Sequence, residues 1–182
     1  MNRILTRSAL VLALLSVGIV PALATVAAES EPPSIVGALD QFEPVSEPYA
    51  LTATPPDGRP WAVLIFKACC TVNAMAVKWT ENLHEKYGDQ IGFLGVTIDT
   101  DRSLPKALKW LKSKKVAFPV VWNPEGQAAK ILKLRSTPLV VILDENGAEI
   151  YRSSTLTGKA TQEIETLLDA RLAARKAAEP TE

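Results

Sequence analysis

The 182-residue chain has very few of the residues that usually build catalytic or metal centres. It contains two cysteines, Cys69 and Cys70, which are direct neighbours, and one histidine, His84. Adjacent cysteines cannot link distant parts of a fold, so a disulfide framework is excluded. A Ser-His-Asp set, a glycine-rich phosphate loop and a metal-ligand spacing are also missing, and we expect no cofactor. Any role of the two cysteines is therefore local chemistry.

The chain also lacks a charge excess. Lys plus Arg and Asp plus Glu both number 20. No global positive charge indicates a nucleic-acid partner. Five lysines between residues 106 and 115 form a local basic stretch, which fits either a solvated helix face or a docking patch for an acidic partner.

No apolar run is long enough for a membrane span. The run at residues 9–20 covers about 12 residues, whereas a spanning helix needs roughly 18 to 20. Arg3 and Arg7 precede it and small residues follow it, which is the pattern of a secretory signal peptide. We therefore expect residues 1–28 to be removed, after Ala24 or Ala28, and the protein to be periplasmic or secreted after a transient membrane contact.

The remaining chain predicts one domain between two short flanks. Residues 29–48 mix Glu and Pro with few large apolar residues, which predicts a flexible leader. Residues 49–178 carry regular helix and strand patterns, and residues 179–182 form a tail. Within the domain, apolar runs and helical spacings predict the order β, β, α, β, α, β, α, β, β, α.

Particular segments carry this prediction. WAVLIF (residues 61–66) reads as a strand buried on both faces. The next segment predicts a helix that ends at Gly88, with an apolar stripe that runs from Val72 to Tyr87. The dipeptide Asn146-Gly147 predicts a hairpin between two late strands. The other predicted elements are strands at 49–54, 91–99, 118–122, 138–144 and 148–153 and helices from Ser103 or Leu104, at 126–134 and from Thr161 to about Ala177.

Two features together carry a family resemblance. A buried strand runs directly into cysteines at the start of a helix, and Ser136-Thr137-Pro138 opens the next-to-last strand. With the segments IGFLGVTIDTD and FPVVWNPEGQAAKILKLRSTPLVVILDENGAEIYR, the chain resembles exported TlpA-like redoxins of the alkyl hydroperoxide reductase/thiol-specific antioxidant superfamily. The resemblance implies an α/β, thioredoxin-like mixed β-sheet flanked by helices in a single domain.

The resemblance also assigns candidate site residues. Cys70 matches the first cysteine of the family's Trp-Cys-x-x-Cys motif, and Asn73 stands in the place of the second, resolving cysteine. The buried acid that thioredoxins carry six residues earlier falls at Leu64, so that proton relay is missing. Thr137 and Pro138 match the loop with a cis peptide bond that forms the far wall of the substrate groove.

Cys70 is the leading catalytic candidate. At the start of a helix, unpaired backbone N–H groups and the positive end of the dipole favour a thiolate, which is the nucleophile. The alternative is an inert thiol that fills space. A peroxiredoxin motif fails, because Lys67 stands three residues before Cys70 where Thr or Ser is needed.

Cys69 has three possible roles. It could resolve a mixed disulfide on Cys70 as a second catalytic thiol, although adjacent Cα atoms lie only about 3.8 Å apart and the ring would be strained. It could help Cys70 bind a soft metal ion, since thiolates select such ions. It could also simply replace the family's tryptophan as a small apolar residue.

These observations predict monothiol exchange with protein or small-molecule thiols and disulfides. If the protein is an enzyme, it is a thiol-disulfide oxidoreductase rather than a peroxidase. The alternatives are a binding or chaperone module that uses the same groove without catalysis, and a soft-metal site at the adjacent cysteines. His84 is expected to be a solvated residue of its helix.

Overall fold

A mixed β-sheet forms the centre of the described part of the protein. The computed structural model describes residues 43–44, 58–68, 70–123, 126, 129–130 and 132–178, all within one compact unit, Glu31–Glu182. The sheet has the strand order β1-β4-β3-β2-β5-β6. The strands are β1 Glu43–Pro44, β2 Trp61–Phe66, β3 Gly92–Thr97, β4 Val120–Trp122, β5 Leu139–Leu143 and β6 Glu149–Ser153.

Strand direction in the sheet confirms the predicted mixed architecture. β3 pairs in parallel with both β2 and β4, whereas β5 runs antiparallel to β2 and to β6. The predicted hairpin joins β5 to β6, and Gly147 in its turn has a φ of 81°, which glycine adopts without steric cost. Two residues of the predicted leader, Glu43 and Pro44, pair with β4, so this part of the leader belongs to the sheet.

Three helices are complete in the described residues. They are α1 Thr71–Tyr87, α2 Leu104–Lys114 and α3 Gly158–Ala178, and a short 3₁₀ turn at Gly88–Gln90 follows α1. α3 begins at Gly158, three residues before the predicted start at Thr161. The Thr157 hydroxyl caps the helix, because it accepts a hydrogen bond from the Ala160 N–H at 3.3 Å. None of these helices is long and apolar enough to cross a membrane.

Several predictions fall on residues outside the described ranges. They are the signal peptide at 1–28, the strand at 49–54, Cys69 and the tail at 179–182. The predicted helix at 126–134 is described only in part; there the Lys130 N–H donates to the Gly126 carbonyl at 3.1 Å, as in a helical turn.

The two faces of the sheet bury separate apolar clusters. Side chains of β2 alternate between them: Leu64 and Phe66 pack with the three helices, and Val63 and Ile65 pack on the opposite face with Leu132. This alternation follows from the two-residue period of a strand. The continuous apolar run in β2 is therefore a strand that is covered on both sides, as the sequence predicted.

The predicted apolar stripe of α1 is wrong at its first position. Ala76, Leu83 and Tyr87 are buried, but Val72 is 57% exposed. The first turn of α1 instead buries Asn73, which is 1% exposed. A polar side chain thus takes the inward position next to the cysteine.

Candidate active site

Cys70 lies where β2 passes into α1. It is the N-cap residue of α1 with extended backbone angles, φ −142° and ψ 162°, and its carbonyl accepts the helical hydrogen bond from the Ala74 N–H at 3.1 Å. Cys70 is exposed. The first turn of α1 contains no acidic residue, so the positive end of the helix dipole is not neutralised there.

The buried amide of Asn73 binds the sulfur of Cys70. Asn73 Nδ2 donates to Cys70 Sγ at 2.9 Å, and the amide oxygen accepts from the Lys67 N–H at 3.5 Å. A donor aimed at sulfur stabilises the thiolate over the thiol. From the sequence, Asn73 only marks the place of a missing cysteine. In the structure its amide contacts both the Lys67 N–H and the Cys70 sulfur.

The loop with Thr137 and Pro138 reaches the same point from the other side. Asn73 Nδ2 also donates to Thr137 Oγ1 at 3.4 Å, and the Thr137-Pro138 peptide bond is cis. Pro138 directly precedes β5, whose first residue, Leu139, pairs with Ile65 of β2. The structure therefore brings Cys70, Asn73 and Thr137 together, although Thr137 lies 64 residues from Asn73.

A buried carboxylate fixes the segment that leads to Cys70. Asp99 is 3% exposed, and its Oδ2 accepts from the Ala68 N–H at 2.8 Å and from Thr97 Oγ1 at 2.7 Å. Its Oδ1 accepts from Ser103 Oγ at 3.0 Å. These bonds tie the residue two positions before Cys70 to the end of β3, so Asp99 positions the cysteine without touching it.

Asp99 is not among the residues that the sequence identifies. The family resemblance places a buried acid within β2, at the position of Leu64, which is 1% exposed and part of the core. The available signal was that β2 and β3 are neighbouring parallel strands, whose carboxyl ends meet at one edge of a sheet. An acid just after β3 therefore lies beside the residues that follow β2.

Two exposed apolar side chains follow Cys70 in the first turns of α1. Val72 is 57% exposed and Met75 is 65% exposed. Exposed apolar side chains that cluster are typical of a surface that receives a partner.

The remaining candidates lie outside this cluster. His84 is half-buried rather than solvated, and its ring meets Phe93 edge-on at a centroid distance of 5.1 Å. It is 14 residues beyond Cys70 along α1, or about 21 Å at the helical rise. Cys69 lies outside the described residues, and among those that are described no group of three or more His, Cys, Asp or Glu could hold a metal ion.

The fold is similar to that of solved thiol-disulfide oxidoreductases. A putative thiol:disulfide interchange protein DsbE from Chlorobium tepidum matches with a TM-score of 0.58 and 19% identity, over 63% of this chain and 81% of that chain. A thiol-disulfide oxidoreductase from Bacteroides fragilis matches with a TM-score of 0.54 and 20% identity, over 65% and 88%. An exposed lipoprotein thioredoxin from Streptococcus pneumoniae matches with a TM-score of 0.54 and 18% identity, over 63% and 87%.

Sequence comparison adds no family to this structural likeness. The chain matches no protein-family model and no curated protein. At these identities the likeness shows the fold, which is thioredoxin-like. The three solved structures named above are described as a thiol:disulfide interchange protein, a thioredoxin and a thiol-disulfide oxidoreductase.

Proposed function

We propose that this thioredoxin-like protein is an exported TlpA-like redoxin that exchanges disulfides through a single cysteine, Cys70. The observation that carries the proposal is the 2.9 Å hydrogen bond from the buried Asn73 amide to the exposed sulfur of Cys70. It is supported by the helix N-terminus at Cys70 and by the Asp99 carboxylate that holds the preceding segment. The thioredoxin fold is consistent with this chemistry.

The reaction begins with the Cys70 thiolate. It attacks one sulfur of a disulfide, a new bond forms between Cys70 and that sulfur, and the old S–S bond breaks. The second sulfur leaves as a thiolate and takes a proton from water. Asn73 donates to the Cys70 sulfur before the attack, and Thr137 and Pro138 form the opposite wall of the groove.

A second thiol completes the cycle. Because Asn73 has no thiol, the mixed disulfide on Cys70 is opened by an external thiolate, or by Cys69. Attack by the external thiolate forms a new disulfide with the bound partner and returns Cys70 as a thiolate. Attack by Cys69 on the Cys70 sulfur instead releases the partner as a thiolate and leaves a Cys69–Cys70 disulfide, which external thiols then reduce. Electrons balance without any further oxidant, since one disulfide is consumed and one is produced.

The pH dependence of alkylation tests this proposal. In a Cys69→Ser variant, the rate of reaction with iodoacetamide should reach half its maximum at a pH below about 8.5, the ordinary pKa of a cysteine thiol. Since only the thiolate reacts, a lower pKa leaves more of the reactive form at neutral pH. Replacing Asn73 by Ala should move the midpoint upward, because the donor to the sulfur is lost.

A Cys69→Ser, Cys70→Ser double variant measures the background of the alkylation assay, because it should not react with iodoacetamide. A midpoint at or above about 8.5, together with no exchange with the neutral 2-hydroxyethyl disulfide, would refute a catalytic role for Cys70. Retained binding of a client by Cys70→Ser would then favour the binding-module alternative, which the exposed Val72 and Met75 support.

Export is a separate part of the proposal. The positive, apolar and small-residue segments of residues 1–28 support a cleaved signal peptide. Intact mass of the exported protein should correspond to a chain that begins at Thr25 or Glu29. A full-length mass in the exported fraction would contradict cleavage.

A further inference from the structure

A cavity with a basic lining opens beside the segment that leads to Pro138. Its volume is about 420 Å³, and Lys133, Arg135 and Arg152 contribute three cations to its lining. Among the described residues that line it, none is acidic. In the described chain, Lys133 and Arg135 have no carboxylate within ion-pair distance. Two positive charges are thus available to a ligand.

Arg152 forms a fixed wall of this cavity. Its Nε donates to Glu149 Oε1 at 2.8 Å, its terminal nitrogen donates to Glu149 Oε2 at 2.5 Å, and the other terminal nitrogen donates to the Leu132 carbonyl. The hydrogen bonds to Glu149 raise the pKa of Arg152 above its ordinary value. The pair keeps the guanidinium in place, while the net charge of the cavity comes from Lys133 and Arg135.

The rest of the lining suits a small anion with an aliphatic part. Ser136 and Ser154 supply exposed hydroxyl donors, and Leu134 and Leu139 supply an apolar floor. Apolar walls with a few placed polar groups are typical of small-molecule sites, and this volume lies in their usual range of about 300 to 1,000 Å³. Guanidinium and ammonium groups bind carboxylates by charge-assisted hydrogen bonds.

The cavity lies at the same end of the sheet as Cys70. Leu139 pairs with Ile65 near the end of β2, and Ser153 at the end of β6 pairs with Val140. Neighbouring strands are about 4.8 Å apart, so β6 lies about 10 Å from β2. Ser136 directly precedes Thr137, which shares the Asn73 amide with Cys70. An extended molecule about three residues long spans 10 Å.

We propose that the cavity binds the carboxylate of a small, carboxylate-bearing disulfide or thiol whose sulfur exchanges with Cys70. The inference rests on the proposed function and identifies its small-molecule partner by chemical class. The Cys70 thiolate attacks a mixed disulfide between the anionic thiol and a different thiol, takes the anionic half as a new disulfide on Cys70, and releases the other thiol as a thiolate. A second anionic thiol, held at the cavity, then attacks the disulfide on Cys70, forms the symmetric anionic disulfide and frees Cys70 as a thiolate. The cavity thereby supplies the resolving thiol that the position of Asn73 lacks.

Three disulfides of different charge test the proposal. Glutathione disulfide is anionic at neutral pH, 2-hydroxyethyl disulfide is neutral, and cystamine is cationic. A Lys133→Gln, Arg135→Gln double variant should react about five- to tenfold more slowly with glutathione disulfide at low ionic strength. It should react with 2-hydroxyethyl disulfide within twofold of the parent, and added salt should shrink the difference.

The matched control removes two lysines from α2. The Lys112→Gln, Lys114→Gln double variant changes the net charge by the same amount. However, α2 packs on the other face of the sheet: Leu111 belongs to the apolar cluster on the helix side, whereas Leu134 and Leu139 belong to the cluster on the opposite face. This control should react with all three disulfides within twofold of the parent. Equal slowing by both double variants, or equal slowing for all three disulfides, would overturn the proposal.

A binding measurement separates this inference from the proposed function. S-methylglutathione carries the carboxylates but no reactive sulfur. It should shift the backbone amide resonances of residues 133–137 and 139 saturably, with at least fivefold weaker binding to the Lys133→Gln, Arg135→Gln variant. No saturable shift would overturn the cavity proposal even if Cys70 reacts, and failure of 2-hydroxyethyl disulfide to react would overturn the proposed function even if the shift occurs.

Discussion

Asn73→Cys should convert the single-cysteine site into a two-cysteine site that releases its own mixed disulfides. The Asn73 amide already reaches the Cys70 sulfur at 2.9 Å, so a thiol at residue 73 would start close to its target. Even an effective concentration of about 0.1 M, far below the values that well-oriented groups reach, exceeds about 1 mM external thiol by about 100-fold. The lifetime of a mixed disulfide on Cys70 should therefore shorten by about 100-fold or more.

The measurement uses Ellman's reagent in a Cys69→Ser background. The chain with Asn73 should release one thionitrobenzoate and keep the second as a mixed disulfide on Cys70, whereas Asn73→Cys should release two and, by intact mass, keep none bound. Asn73→Ser is the matched control, because it removes the amide without adding a thiol, and it should release one. Thionitrobenzoate that stays bound to Asn73→Cys would mean that the side chain at residue 73 does not reach the Cys70 sulfur during exchange.

Asp99→Leu should both destabilise the fold and slow Cys70. The substitution leaves the buried Ala68 N–H and Thr97 hydroxyl without their acceptor, and bonds to a charged group contribute about 1.5 to 3 kcal/mol each. We expect the free energy of unfolding to fall by about 3 kcal/mol. The alkylation rate of Cys70 should fall by about tenfold, because the preceding segment loses its anchor.

Two companion variants separate positioning from stability. In Asp99→Asn the amide oxygen can still accept from Ala68, and its nitrogen can donate to Ser103, so most of the alkylation rate should return. Glu81→Leu removes a second buried carboxylate, whose Oε1 accepts from the Ala117 N–H at 2.7 Å. Glu81 lies about 17 Å along α1 from Cys70. Glu81→Leu should also lower the free energy of unfolding but change the rate by less than twofold. Equal rates in Asp99→Leu and Glu81→Leu would contradict a positioning role for Asp99.

Much of the fold follows from local patterns in the sequence. The apolar run of β2, the helical spacing that ends at Gly88 and the Asn146-Gly147 turn each predict an element that the structure contains. These signals involve residues within one strand or one helical turn of each other. Strands that alternate with helices, together with the late hairpin, then restrict the topology to a mixed sheet.

The site was predictable only in part. The junction of strand and helix identifies Cys70, and Thr137-Pro138 at the start of β5 identifies the opposing loop. The sequence predicts that Val72 belongs to the buried stripe of α1. Helical spacing gives the angle of each side chain around the helix axis, but it does not say which angle faces the core. The structure turns Asn73 inward instead, since its amide finds partners in Cys70, Lys67 and Thr137.

The sequence by itself determined the order of the elements, the thioredoxin-like architecture and the position of one cysteine at the start of α1. Only the tertiary structure decided what surrounds that cysteine. Asn73 and Thr137 are 64 residues apart, and Ala68 and Asp99 are 31 apart, so no local pattern records either pair. The sheet brings them together because β2, β3 and β5 are neighbours whose ends meet at one edge, and the cavity beside Lys133 and Arg135 arises at that same edge.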